Sequence, residues 1–190
     1  MTDTSKARAL ALVGMPGSGK SSCAYHLEQR GFWQFRFGGI VEGEVRRRGM
    51  AVNPENEKIV REELRATHGM AAMAKLALDS LHAALDTRQC IVIDGLYSWS
   101  EYKYLRHELK AELTVVAVVC RRDLRYQRLA ERPIRPLTAA EAESRDWAEI
   151  ENLEKGGPIA IADYTLTNDG SAEETLRELD ALLDRLGFAP

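Results

Sequence analysis

The segment Gly14-Met15-Pro16-Gly17-Ser18-Gly19-Lys20-Ser21 carries the clearest structural signal in this chain of 190 residues. It fits the pattern G-x-x-x-x-G-K-[ST], whose glycines let the backbone wrap around phosphate groups. The lysine of this pattern reaches the β- and γ-phosphate oxygens, and its serine hydroxyl is a ligand of Mg²⁺. The sequence therefore predicts a site for ATP or a similar triphosphate with Mg²⁺. The expected contacts of the nucleotide are Gly14, Pro16, Gly17, Ser18, Gly19, Lys20, Ser21 and Ser22.

The flanks of this segment support the prediction. Residues 9–13 form a short apolar run typical of a buried strand, and residues 21–29 have a helical pattern that stops at Gly31. A strand, a glycine loop and a helix N-terminus together form an anion site, because free N–H groups and the helix dipole both favour phosphate. The alternative is a glycine-rich turn that binds nothing.

Length and composition narrow the class of protein. A chain of 190 residues with 45% hydrophobic and 29% charged residues is typical of one globular domain, and no stretch is long enough to span a membrane. The net charge of −3 provides no basic field for nucleic acid. We expect a small-molecule acceptor as partner, with no nucleic acid or membrane, and a monomer or homodimer.

Cysteine spacing and the N-terminus favour a cytoplasmic protein. Cys23, Cys90 and Cys120 lie far apart, without a C-x-x-C or Cys/His metal pattern, so we expect free thiols. Residues 1–6 are short and polar, and no signal peptide is visible.

Strands and helices alternate along the chain. Four more apolar runs follow the first, and we predict strands over residues 33–37, 90–94, 113–119 and 164–167. This order predicts an α/β fold of the P-loop NTPase type, with three α/β/α layers around a five-stranded parallel sheet. Ligands of such sheets bind at the carboxyl ends of the strands, where the glycine loop follows the first strand.

Two segments exceed the minimal pattern of this fold. We predict a single domain over 1–190 whose core comprises 8–38, 88–120 and 156–188. Residues 39–86 form a helical insertion for an acceptor, in which Asn53-Pro54 starts a new helix, and residues 121–155 form a short lid region. Each insertion leaves the carboxyl end of a strand, so each is expected to cover the phosphate site.

The lid region is rich in arginine. Arg121, Arg125, Arg128 and Arg132 are spaced by four, three and four residues, which predicts one face of a helix. Positioned guanidinium groups stabilise the charge that builds on a transferred phosphoryl group. We therefore assign catalytic roles to Lys20, Arg128 and Arg132. The alternative is a solvated face paired with nearby carboxylates such as Asp146.

A carboxylate ends the third predicted strand. Asp94 is expected beside the glycine loop, where it can hold Mg²⁺ or its waters together with Ser21, and we also assign it a catalytic role. The alternative is a cap of the following turn or helix. Tyr97 follows at a position that can line an acceptor pocket, although packing explains it equally well.

Several of these segments resemble one family. The chain is similar to small P-loop ATPases, widespread in archaea, that are described as dephospho-coenzyme A kinase-like or nucleoside monophosphate kinase-like. The resemblance implies an acceptor-binding helical insertion and an arginine-bearing lid, and it places Asn168 and Gly170 near the donor adenine. It is carried by residues 14–21, 46–49, 61–65, 68–70, 94–95, 125–129, 145–146, 162–164 and 168–171.

The chain also departs from this family. Relatives tend to have Gly-Asp and then an arginine after the second strand, whereas Gly38-Gly39 is here followed by Ile-Val-Glu. Relatives often have Asp-Gly-Ile-Arg-Ser where residues 94–98 are Asp-Gly-Leu-Tyr-Ser. Two groups for an acceptor phosphate and one candidate base are therefore missing.

Three functions remain open at this point. The favoured hypothesis is transfer of the γ-phosphoryl group of ATP to a nucleoside monophosphate-like acceptor, held by Arg46, Arg61, Arg65 and Tyr97. A hydroxyl acceptor of the dephospho-coenzyme A type would need a carboxylate base, for which Asp94 is one candidate. The third hypothesis is a nucleotide-dependent switch that hydrolyses ATP slowly.

Overall fold

The sheet has the predicted number and direction of strands. A computed structural model describes residues 7–190, and the polar stretch 1–6 lies outside the described residues. All strand pairs are parallel, and the order across the sheet is β2-β3-β1-β4-β5. The strands are β1 Arg8–Val13, β2 Gln34–Arg36, β3 Cys90–Asp94, β4 Glu112–Val119 and β5 Tyr164–Thr167.

Nine helices are found within residues 7–190. Asn53 caps α3 by accepting a hydrogen bond from the Asn56 amide at 2.8 Å, and Ser171 caps α9 together with Glu174, as expected for these residues. The helices are α1 Lys20–Gln29, α2 Phe37–Arg47, α3 Pro54–His68, α4 Ala72–Leu85, α5 Trp99–Glu108, α6 Arg122–Ala130, α7 Ala139–Glu151, α8 Gly156–Ala160 and α9 Ala172–Leu186.

The second strand is shorter than predicted. The apolar run 33–37 predicts a strand through Phe37, but β2 ends at Arg36 and Phe37 is the first residue of α2. Phe37 is fully buried in the core, so its apolar character does not distinguish the end of a strand from the start of a helix. The helical insertion accordingly starts two residues before its predicted boundary.

The core has two halves, one on each face of the sheet. Along β1, Ala9, Ala11 and Val13 belong to the half that includes side chains of α2, α4 and α5. Leu10 and Leu12 alternate with them and belong to the half that includes α1 and α9. This period of two, with both faces buried, produces the predicted three-layer α/β/α arrangement.

The register of the sheet brings the functional segments to one edge. Leu12 of β1 pairs with Asp94 of β3, and Val13 pairs with Ala117 of β4. The loop 14–19, the turn after β3 and the segment after β4 therefore start side by side at the carboxyl ends of the central strands. In the part of the chain that the structure describes, no helix is both long enough and apolar enough to cross a bilayer.

Candidate phosphate-binding site

The loop between β1 and α1 has a conformation that requires glycine at two positions. Gly17 and Gly19 have φ angles of 80° and 99°, in the left-handed region. A Cβ atom at Gly17 would lie 2.7 Å from the Arg125 carbonyl oxygen, and one at Gly19 would overlap the Asn168 side-chain nitrogen. The two glycines thus allow α6 and the turn after β5 to pack directly on the loop.

Asn168 holds the loop from the side of β5. Its Nδ2 donates to the Ser18 carbonyl oxygen at 2.8 Å, and its Oδ1 accepts from the Thr175 hydroxyl at 3.0 Å. Asn168 is 6% exposed, and both ends of its carboxamide are used within the protein. Its side chain therefore positions the loop. A contact of Asn168 or of Gly170 in the same turn with adenine stays a prediction.

A buried ion pair holds the loop from the side of the lid region. Arg125 of α6 donates to the Pro16 carbonyl oxygen at 3.0 Å and to both carboxylate oxygens of Asp146 of α7, at 3.1 and 2.6 Å. Both side chains are 8% exposed. The sequence left two interpretations of Arg125 open, ligand binding and pairing with a carboxylate. The structure shows the pairing.

The predicted stripe of four lid arginines is not one helical face. Helix α6 ends at Ala130, so Arg132 lies beyond it, and Arg121 is the exposed residue that precedes the helix. The spacing predicts a longer helix because the pattern continues past its end, where Pro133 and Pro136 follow. Arg128 and Arg132 line the cavity above the loop, and Arg128 also donates to the Asn168 carbonyl oxygen at 3.0 Å.

Lys20 and Asp94 are in contact at the centre of the site. The Lys20 ammonium donates to Oδ1 of Asp94, which is 8% exposed at the end of β3. Burial disfavours the charged ammonium, but the negative charges that Tyr97 and Asp94 carry at high pH raise the pKa of Lys20 above its ordinary value. Burial also raises the pKa of Tyr97, so this side chain is a neutral phenol at neutral pH. Lys20 is therefore a positive charge at the position that the pattern predicts.

A cavity of about 430 Å³ opens between the loop and the lid region. Five cationic side chains line it, and two carboxylates, Asp94 and Glu149, contact three of them. The excess of positive charge suits a polyanionic ligand such as a triphosphate. The lining comprises residues 14–22, Tyr97, Arg128, Arg132, Arg145 and Lys155.

Two of these cations were not assigned to the site from the sequence. Arg145 stands on α7 and donates to Glu149 at 3.0 Å, and Lys155 lies in the loop after α7 and donates to the same carboxylate. Arg145 could be found through the family resemblance, which includes residues 145–146. No pattern marks Lys155, since a single lysine before two glycines is common in loops.

The predicted acceptor residues are only partly brought together. Tyr97 lines the cavity, whereas Arg46, Arg61 and Arg65 stand on α2 and α3 outside its lining. Arg46 is an exposed side chain 4.0 Å from Glu42. Arg65 is half-buried, and its Nε has no hydrogen-bond partner within the described residues. Burial lowers the pKa of Arg65, although the nearby charges of Glu101 and Tyr97 oppose this shift.

The donor set fits a magnesium ion that is held largely by a nucleotide. Within residues 7–190 no group of three or more His, Cys, Asp or Glu side chains could bind a metal alone. Ser21 lines the cavity at the start of α1, and Asp94 is the carboxylate next to Lys20. Mg²⁺ commonly uses one or two protein oxygens together with substrate phosphates, which is what these two residues provide.

Fold and site together define a protein with a P-loop NTPase-like fold. A family model described as an AAA domain matches residues 10–155. A UPF0200 protein of Thermococcus kodakarensis is 39% identical over 92% of this chain and 96% of its own length, and one of Thermococcus gammatolerans is 38% identical over 92% and 93%. The chain therefore belongs to the family of this AAA domain and, within it, to the UPF0200 proteins.

Solved structures share the fold at low sequence identity. TT1252 from Thermus thermophilus has a TM-score of 0.63 at 20% identity and covers 95% of this chain and 98% of its own. Shikimate kinase from Bacteroides thetaiotaomicron has a TM-score of 0.57 at 16% identity and covers 93% of this chain and 98% of its own. A gluconokinase from Sinorhizobium meliloti has a TM-score of 0.56 at 18% identity and covers 94% of this chain and 92% of its own. This likeness confirms the predicted fold class.

Proposed function

We propose that this protein is an ATP-dependent phosphotransferase that moves the γ-phosphoryl group to a small acceptor. The observation that carries the proposal is the cavity in which Lys20 and the loop face Arg128, Arg132 and Arg145 from the lid region. A site for nucleotide binding alone needs the loop, whereas guanidinium groups from a separate segment are typical of phosphoryl transfer.

The residues of the cavity match the charge changes of the reaction. The bond from Pγ to the bridging oxygen breaks and leaves ADP, while a bond from Pγ to an acceptor oxygen forms. Negative charge on the transferred group is stabilised by Lys20 and by the permanently charged guanidinium groups of Arg128 and Arg132. When bound, Mg²⁺ neutralises phosphate charge, and Ser21 and Asp94 are the residues that would hold it.

We favour a nucleoside monophosphate-like acceptor. Tyr97 lines the cavity together with Lys20, and Arg65 stands on α3 with its Nε buried and without a hydrogen-bond partner in the described residues. A half-buried guanidinium with an unpartnered Nε is suited to an anionic group of the acceptor, because a phosphate would supply the missing hydrogen bonds. Such an acceptor arrives ionised and needs no general base.

An acceptor hydroxyl is the second candidate, and Asp94 favours it. Its carboxylate contacts Lys20, which lines the cavity, and it could take the hydroxyl proton as the acceptor oxygen attacks Pγ. The structural neighbours named shikimate kinase and gluconokinase support this class of acceptor by fold alone. Dephospho-coenzyme A, shikimate and gluconate therefore belong in the same test as nucleoside monophosphates.

The test is an acceptor panel with product analysis. Purified protein, ATP and Mg²⁺ are incubated with nucleoside monophosphates, nucleosides, dephospho-coenzyme A, shikimate and gluconate, and ADP release is followed. Release that an acceptor stimulates, with a phosphorylated product detected by mass spectrometry, supports the kinase. Slow release that no acceptor changes would reject it and favour a nucleotide-dependent switch.

The proposal also specifies where and with what the protein works. We propose a cytoplasmic enzyme whose partner is the small-molecule acceptor, acting as a monomer or homodimer without nucleic acid or membrane. The net charge of −3 supports this choice, because it provides no overall basic field for nucleic acid.

A further inference from the structure

Lys155 is a buried cation that the proposed chemistry does not yet use. It lies between α7 and α8 and is 4% exposed, yet it lines the cavity together with Lys20. Buried lysines are rare unless they are paired, because removing an ammonium group from water costs free energy. Burial lowers the pKa of Lys155, and the neighbouring charge of Glu149 opposes this shift.

The partners of Lys155 fix the position of its ammonium group. Nζ donates to Oε2 of Glu149 and lies 4.7 Å from the centroid of the Tyr97 ring. The other oxygen of Glu149 accepts from Nε of Arg145 at 3.0 Å, and Glu149 itself is 8% exposed. One carboxylate thus orients two cations, and the cluster keeps a positive charge in excess.

The ammonium group retains at least one donor for a ligand. Of its three N–H donors, one is used by the Glu149 carboxylate, and within residues 7–190 no other acceptor bonds to the ammonium group. The Tyr97 ring face, 4.7 Å away, takes up one more N–H in a cation–π contact, so at least one donor remains. An anionic oxygen in the cavity would use it.

The neighbours of Lys155 indicate which anion it meets. Lys20, the residue for β- and γ-phosphate oxygens, lines the same cavity as Lys155, and the ring of Tyr97, a proposed acceptor residue, is 4.7 Å from the Lys155 ammonium. A group held between Lys20 and Tyr97 would be the terminal phosphate of the donor.

We propose that Lys155 is a second lysine of the phosphate site, which binds the γ-phosphoryl group of ATP, and that Glu149 is its positioning residue. The inference rests on the proposed function, since it assigns a ligand to the same cavity. It adds a specific consequence: the protein distinguishes ATP from ADP through a residue outside the glycine loop.

The experiment measures the dissociation constants of ATP and ADP, each with Mg²⁺, by titration calorimetry. Lys155→Met is expected to weaken ATP binding about tenfold or more, the range for a charge-assisted hydrogen bond, and to change ADP binding less than about threefold. Lys155→Arg should retain most of the ATP affinity. Lys103→Met is the matched control, because Lys103 is exposed and contacts an aromatic ring, Trp99, outside the cavity.

A second variant covers the case in which Lys155→Met does not fold. The double variant Lys155→Met/Glu149→Gln removes the charge of the carboxylate that has lost Lys155, and its Gln side chain can still accept from Arg145. Equal weakening of ATP and ADP, or no change in either, would overturn the inference. If the wild-type protein prefers ATP through Lys155 but phosphorylates no acceptor, the proposed function fails and this inference stands. If the wild-type protein phosphorylates an acceptor and Lys155→Met binds ATP normally, the proposed function stands and this inference fails.

Discussion

Single side chains determine whether the glycine loop can hold phosphate. Asn168 and Arg125 hold backbone carbonyl groups of Ser18 and Pro16, while Lys20 supplies the charge inside the loop. The first two residues shape the loop, and we propose that the third contacts the ligand. Substitutions of Asn168 or Arg125 should therefore affect both stability and nucleotide binding. Substitutions of Lys20 should affect mainly nucleotide binding and turnover.

Lys20→Ala should abolish turnover. Loss of a positioned donor to a phosphoryl group lowers rates by about 100-fold or more, and this variant also loses the positive charge. ADP release from ATP is the measurement, and Lys75→Ala is the control, because Lys75 is exposed on α4 and bonds to the His68 carbonyl oxygen. Persistent turnover in Lys20→Ala would show that the site has been assigned wrongly.

Asn168→Asp should destabilise the protein and weaken nucleotide binding. An aspartate would place a carboxylate oxygen, in place of the Nδ2 donor, against the Ser18 carbonyl oxygen. The lost bond and the repulsion together should lower the free energy of unfolding by about 1–3 kcal/mol. Urea denaturation measures this, with exposed Asn152→Asp as the control, expected to lose less than about 1 kcal/mol. Equal losses in both variants would contradict the assigned role of Asn168.

Helices α6 and α7 act as one unit with the loop. The Arg125–Asp146 pair joins the two helices and reaches the Pro16 carbonyl oxygen, so the position of the lid region is tied to the conformation of the phosphate site. The connection between these helices also reaches α3, where Arg135 lies 3.6 Å from Glu57. The lid region and the helical insertion thus contact each other through this ion pair.

Asp146→Ala should cost about 3–5 kcal/mol of unfolding free energy, because it leaves the Arg125 guanidinium buried without its carboxylate. Thermal and urea denaturation both report this loss. Glu62→Ala is the matched control, since it breaks an exposed pair with Lys58 at 3.8 Å and should cost less than about 0.5 kcal/mol. A loss for Asp146→Ala as small as that of the control would refute a structural role for the buried pair.

Local patterns account for the parts of the molecule that the sequence could predict. The glycine loop, the alternating strands and the caps at Asn53 and Ser171 each depend on residues close together in the chain. The contacts that complete the site join distant residues, such as Arg125 to Pro16 and Asn168 to Ser18. Lys155 could not be assigned to the site from the sequence, because only the folded chain brings it into the same cavity as Lys20.

ATP should stabilise the folded protein as a ligand that binds the native state alone. At a concentration 100 times its dissociation constant, a ligand adds about 2.7 kcal/mol to the free energy of unfolding. The melting temperature should therefore rise with ATP and Mg²⁺ in the wild type and much less in Lys20→Ala. A melting temperature that ATP leaves unchanged in the wild type would argue against a nucleotide site at residues 14–21.

The fate of the γ-phosphate provides the most direct test of the account. With ATP labelled at Pγ and the acceptor that most stimulates ADP release, the label is partitioned between phosphorylated acceptor and inorganic phosphate. We expect the phosphorylated acceptor to dominate, because a phosphoryl group bound between Lys20 and the lid arginines that line the cavity would be shielded from water. Label that appears only as inorganic phosphate, whatever acceptor is present, would contradict a phosphotransferase.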